Sequence, residues 1–160
     1  MSISQFSVIQ LISFLERRSF KDFANIQGFR KVMAALDQLK NDLGNYYEEY
    51  VKLELDHALL VNPYVRKANE LRTEYAEDEA TLTKELNKLQ TKADKDTKLI
   101  ESFGALQAFK KAEDGTIIEI DIKNPDQKIA VKSLFESFAL ESDGWASKNV
   151  VADLSEFLGV

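Results

Sequence analysis

The 160-residue chain has no cysteine and only one histidine, His57. The absence of thiols excludes disulfides, catalysis by a thiolate, and zinc or iron–sulfur sites ligated by cysteine. A single histidine also excludes any metal site that needs two histidine ligands. The sequence therefore cannot form the cysteine-based or two-histidine metal sites of many small metalloproteins, nor the active site of a thiol enzyme.

Excess positive charge and long apolar runs are also absent. The formal net charge is −6, which argues against direct nucleic-acid binding because affinity for phosphate comes from lysine and arginine. The start, MSISQFSVIQLISFLERR, lacks the basic region and cleavage site of a signal peptide, and its apolar stretch is too short and too polar to span a bilayer. We expect a cytoplasmic protein with neither nucleic acid nor membrane as a direct ligand.

What the sequence does contain is helical periodicity, at an apolar content of 44%. Val8, Leu11, Ile12 and Leu15 recur at helical spacing, so residues 1–18 are predicted to form an N-terminal amphipathic helix that docks by one face. The fold class predicted for the whole chain is mainly α.

Two heptad stripes dominate residues 19–103 and predict a long antiparallel helical hairpin, packed as a coiled coil. Asn62-Pro63 separates the stripes and is predicted to be the corner, because proline clashes with a continuing helix. Gly28 and Gly44 fall outside the first stripe, so the helix is expected to continue through them. The first stripe is Phe29, Val32, Leu36, Leu39, Leu43, Tyr46, Tyr50, Leu53, His57 and Leu60; the second is Val65, Ala68, Arg72, Tyr75, Glu79, Leu82, Leu86, Leu89, Ala93, Asp96, Ile100 and Phe103.

Residues 104–160 are predicted to form a small β-hairpin followed by C-terminal helices, in one structural unit with the rest. Asp114-Gly115 is a type I′ turn signal between Ala105–Ala112 and the alternating segment Thr116–Ile122. Asp143-Gly144 should end the next helix, and Trp145 should fill the joint before the last one. The isoleucines of the second strand need an apolar cover, since an isolated two-stranded hairpin is marginally stable.

No catalytic, cofactor-binding or metal-binding residue is predicted. His57 lies on the heptad stripe, where a partly buried core histidine explains it better than a pH switch. Acidic pairs such as Glu48/Glu49 fit solvated helix faces better than a magnesium site or an acid–base pair, and no phosphate-binding glycine loop occurs. We therefore expect the protein not to be an enzyme.

A further apolar stripe, outside the two heptad stripes that form the seam of the predicted coiled coil, lies near the predicted corner. It is the candidate partner-binding surface. A two-helix coil buries one stripe per helix, so a second stripe must meet another subunit, a partner protein, or other helices of the same chain. We expect the partner to be another protein or the chain itself, as a homo-oligomer. The residues are Tyr47, Val51, Leu55, Leu59, Tyr64 and Leu71.

The leading functional hypothesis is a structural or adaptor protein whose hairpin acts as a lever or spacer. The alternative is an acidic inhibitor or regulator that occupies a basic site on a host or nucleic-acid-processing enzyme. Such an inhibitor should bind one target with strong salt dependence, whereas an assembly protein should self-associate or join a large complex. A small enzyme, the third hypothesis, would need a concave pocket with converging polar groups.

Three stretches, LISFLERRSFKDF, GFRKVMAALDQLKNDLGNYYEEYVKLELDHALL and AEDGTIIEIDI, give the chain a resemblance to small helical accessory proteins of tailed bacteriophages. Those proteins often combine a short N-terminal helix, a charged helical hairpin and an Asp-Gly turn. The resemblance implies a viral assembly or accessory role, in the host cytoplasm, and assigns no functional residue.

Overall fold

A computed structural model describes residues 1–139 and 146–160. This part of the chain is mainly α-helical, as predicted, with seven α-helices and a small two-stranded antiparallel sheet. The predicted helix end at Asp143-Gly144 and the predicted joint at Trp145 lie outside the described residues. The elements are β1 (Ser2–Ser4), α1 (Gln5–Glu16), α2 (Ile26–Leu43), α3 (Asn45–Glu74), α4 (Glu79–Asp94), α5 (Thr97–Asp114), β2 (Ile117–Glu119), α6 (Pro125–Ala139) and α7 (Lys148–Leu158).

The chain divides into two compact units. Unit 1 comprises Met1–Tyr47 together with Lys110–Val160, and unit 2 comprises Glu48–Phe109. This grouping differs from the predicted division after residues 18 and 103 within a single unit. Unit 1 joins the two ends of the chain, and local sequence periodicity carries no information about such a distant association.

Helix α1 is the centre of unit 1 rather than a helix docked by one face. Its buried residues include Ser7, Ile9 and Phe14 as well as the four residues of the predicted apolar face. The helix packs against α2, α7 and β1, and the Ser7 hydroxyl donates a hydrogen bond to Asp153 Oδ2 on α7 at 2.7 Å. The amphipathic interpretation of residues 1–18 is therefore wrong, because a helix with neighbours on several sides is buried on most of its surface.

The remaining core of unit 1 forms where α2 packs on α6 and α7 closes against α1 and α6. Leu39, Phe135 and Leu154 are completely buried there. Burial of each such side chain contributes roughly 1.5–3 kcal/mol. Arg18 covers the edge of this core, with its guanidinium carbon 4.5 Å from the Phe138 ring centroid.

The small sheet pairs the two chain segments of unit 1, and the predicted β-hairpin at Asp114-Gly115 is wrong. Helix α5 continues to Asp114, and β2 pairs antiparallel with β1, so that Ile3 lies opposite Ile118. The burial expected for the isoleucine face is confirmed at Ile120 and Ile122.

The first long helix ends at Gly44, and the predicted corner at Asn62-Pro63 is wrong. Gly44 has φ +56° and ψ −128°, a positive-φ conformation that glycine adopts without a steric penalty, and α2 ends there. Helix α3 then runs without interruption through Pro63 to Glu74. The chain turns at residues 75–77, and the Asp78 side chain caps α4 by accepting a hydrogen bond from the Thr81 backbone N–H at 3.1 Å.

Candidate interaction surface

One face of α3, over residues 50–64, is directed at α5 and at Asp96, the residue just before α5. The ring centroids of Tyr50 and Phe109 are 6.0 Å apart, and His57 Nδ1 lies 2.8 Å from Ser102 Oγ. Further along, the Tyr64 hydroxyl donates a 2.6 Å hydrogen bond to Asp96 Oδ2. Because seven residues make about two helical turns, these three α3 residues share one face.

His57 is thus a polar contact inside unit 2, next to Ser102 and 5.7 Å from the Phe103 ring. The corner predicted at Asn62-Pro63 would place His57 opposite Ala68 of the second stripe, but both residues belong to α3. Val65 and Phe103, which the two heptad stripes predicted to be buried, are also about half exposed. The heptad period located the inner face of α3 but not the residues opposite it.

The opposite face of α3 exposes three large apolar side chains. Val51, Leu55 and Leu59 are 41%, 57% and 63% exposed, respectively. Leu55 and Leu59 are each two residues from His57, which places both about 160° around the helix from the side that meets α5. We call these three residues the outer stripe.

The other three predicted partner-binding residues have neighbours within the chain. Tyr47 belongs to unit 1, where its hydroxyl donates to Glu16 Oε1 at 2.8 Å. Tyr64 is held by Asp96, and Leu71 is buried. The structure therefore leaves half of the predicted surface available for a partner and places the other half in intramolecular contacts.

Charged and polar residues surround the outer stripe, and the prediction did not include them. Glu48, Lys52 and Asp56 are exposed on the N-terminal part of α3, and Asn62 and Arg66 on its C-terminal part. Apart from Asp56, these residues share a sequence signal with Leu55 and Leu59, because alternate steps of four and three connect all of them from Glu48 to Arg66. That spacing was overlooked because an apolar criterion alone ignores charged positions.

The hydrogen bond between Tyr64 and Asp96 is the clearest electrostatic feature of unit 2. It lowers the pKa of the Asp96 carboxyl, with a further contribution from the Leu99 backbone N–H. The same hydrogen bond raises the pKa of the Tyr64 hydroxyl. Both shifts favour the state in which the phenol keeps its proton and the carboxylate is charged.

A groove of about 260 Å³ runs beside this pair, and Tyr64, Ala68, Arg72 and Leu86 are among its lining residues. Most of its lining is apolar or amide, without a nucleophile placed beside a base. Among the described residues, no group of three or more histidine, aspartate or glutamate side chains is arranged to hold a metal ion. The strongest feature of unit 2 is therefore the outer stripe.

No helix in the described ranges is both long enough and apolar enough to cross a membrane. Comparison of the chain with protein-family models, curated proteins and solved structures finds no match.

Proposed function

We propose that the chain is a non-catalytic structural or adaptor protein that acts through protein–protein contacts made by the outer stripe. The single observation that carries this proposal is the exposure of Val51, Leu55 and Leu59 on the face of α3 away from α5. Three large apolar side chains in consecutive turns form a contiguous patch, and such patches commonly mark interaction sites.

The proposal includes an antiparallel helical hairpin in unit 2, formed by α3 against α4 and α5. Its support is the order of the contacts: as the α3 residue advances from Tyr50 to Tyr64, its partner recedes from Phe109 to Asp96. The turn at residues 75–77 then replaces the corner predicted at 62–63. Such a hairpin would present the outer stripe on a rigid helix, which suits a spacer or adaptor.

Leaving the outer stripe in water is energetically unfavourable. Full burial of a leucine contributes roughly 1.5–3 kcal/mol, so covering the exposed part of Leu55 or Leu59 would contribute about half as much. Three such side chains are enough to anchor a contact when polar residues around them exclude water. The resemblance to phage accessory proteins is consistent with an assembly role for such a contact.

The proposal is tested with a photo-cross-linking amino acid placed at position 59 of the full chain, in the cells that produce it. Ile129 on α6 is a matched control position because it is 61% exposed, close to the value for Leu59. We expect a protein adduct from position 59 and none from position 129.

The adduct should disappear when Leu55→Asp is added and persist when Ile129→Asp is added instead, because only the first change puts a charge inside the contact. Leu55 is exposed, so Leu55→Asp should change stability by less than about 0.5 kcal/mol. If position 59 gives no adduct, or if the adduct is indifferent to Leu55→Asp, the outer stripe is not a binding surface. An acidic inhibitor would instead give an adduct that is lost at high salt.

A further inference from the structure

Leu55 and Leu59 of the outer stripe are the centre of a longer row that has coiled-coil spacing. The row follows steps of four and three along α3, which keep one stripe of a helix facing a partner helix. All its members are exposed. They are Glu48, Lys52, Leu55, Leu59, Asn62 and Arg66.

We infer that this row binds a second copy of the same chain, with the two α3 helices antiparallel about a twofold axis beside residue 57. The inference rests on the proposed function and names the partner of the same surface. Reversing the row about its centre gives three pairs: Glu48 with Arg66, Lys52 with Asn62, and Leu55 with Leu59. A twofold axis repeats each pair, so the contact contains four leucines flanked by an opposite-charge pair at each end.

Charge complementarity selects a second copy over an unrelated partner. A surface made for a different protein has no reason to complement its own reversal, whereas an isologous dimer requires it. Within the described part of the chain, neither Glu48 nor Arg66 forms an ion pair, so both remain available for the partner. A parallel arrangement would oppose Glu48 to Glu48 and Arg66 to Arg66, which is repulsive.

The positions beside the row follow the same symmetry. On one side the antiparallel arrangement brings Val51 of one copy to Val65 of the other and Ala58 to Ala58, which extends the apolar contact. This pairing explains why Val65, an apolar residue outside the outer stripe, is exposed in a single chain. On the other side Asp56 meets Asp56 near the axis, and this like-charge pair weakens the dimer.

The experiment is a charge swap measured by sedimentation equilibrium of the full chain at low salt. Glu48→Arg and Arg66→Glu should each weaken dimerisation about tenfold, because each variant makes two like-charge contacts per dimer. The double variant restores both pairs in reversed order and should return the dissociation constant to within about threefold of the wild type. Glu101→Arg, a charge reversal of the same size at an exposed site on α5, should have no effect.

Two further variants separate the apolar contribution from the charged one. Leu55→Asp should abolish the dimer, and Asp56→Asn should tighten it by removing the repulsion at the axis. The inference is overturned if the wild type stays monomeric at about 1 mM, or if the double swap is no better than the single ones. A monomeric chain that still forms an adduct with another protein from position 59 would retain the proposed function while rejecting self-association.

Discussion

Within unit 2, the hydrogen bond between Tyr64 and Asp96 connects α3 to the residue that precedes α5. Sequence periodicity placed Asp96 on the second stripe and Tyr64 among the candidate partner-binding residues, so it did not pair the two. The miss has a physical cause. A heptad pattern specifies which face of a helix is inward, whereas the register between two helices depends on where the chain turns, and the turn was misplaced.

The first prediction is that this hydrogen bond stabilises the fold over a wide range of pH. The lowered pKa of Asp96 means that its contribution is present above its ordinary value of 3.8 and is lost as pH falls through the folded-state value. The raised pKa of Tyr64 means that the contribution is complete below its ordinary value of 10.0 and is lost as pH rises through the folded-state value. Tyr64→Phe should therefore lower Tm at pH 7, and the difference from wild type should shrink toward both extremes.

Calorimetry across pH 3–11 would measure this, with Tyr46→Phe as the control because Tyr46 is an exposed tyrosine without a hydrogen bond among the described residues. An equal loss of Tm for Tyr64→Phe at every pH would mean that the phenol contributes by packing alone.

At the scale of elements, the predicted effects of one glycine and one proline on helix ends were both wrong. Gly44 was expected to be tolerated inside a helix and instead ends α2, while Pro63 was expected to end a helix and instead lies inside α3. His57 contacts Ser102 before Pro63, and Tyr64 contacts Asp96 after it. These contacts stabilise a continuous helix through the proline. Tertiary packing overrode the local signal, which single-residue propensities cannot anticipate.

The second prediction follows from the position of Pro63 within α3. Proline in a helix interior costs about 3 kcal/mol relative to alanine, but it also restricts the unfolded chain, which offsets roughly 1 kcal/mol of that cost. Pro63→Ala should therefore raise the free energy of unfolding by about 1–2 kcal/mol in urea titrations.

Pro125→Ala is the matched control because Pro125 is the first residue of α6, a position that proline favours. This control should give no gain. If Pro63→Ala were no more stabilising than Pro125→Ala, α3 would be broken in solution at the corner that the sequence predicts.

At the scale of the whole molecule, burial is concentrated in unit 1. Helix α1 buries eight residues, Gln5, Ser7, Val8, Ile9, Leu11, Ile12, Phe14 and Leu15, whereas α4 in unit 2 buries none. The mainly α class and the outer leucines were predictable because they depend on local periodicity. The sheet between β1 and β2 was not, because its strands are more than a hundred residues apart in the sequence.

The third prediction is that hydrogen exchange will separate the two units in the full-length chain. Amides of α1 have neighbours on several sides and should exchange only when unit 1 opens as a whole, while amides of α4 should exchange by local opening and lose protection first. Mass spectrometry of peptides covering residues 5–16 and 79–94 would measure the difference.

Raising the protein concentration should slow exchange in residues 48–66 if two copies pair there, and should leave α4 unchanged. Equal protection of α1 and α4 at low concentration would contradict the expected order, since it would require a cover on α4 that a single chain does not supply.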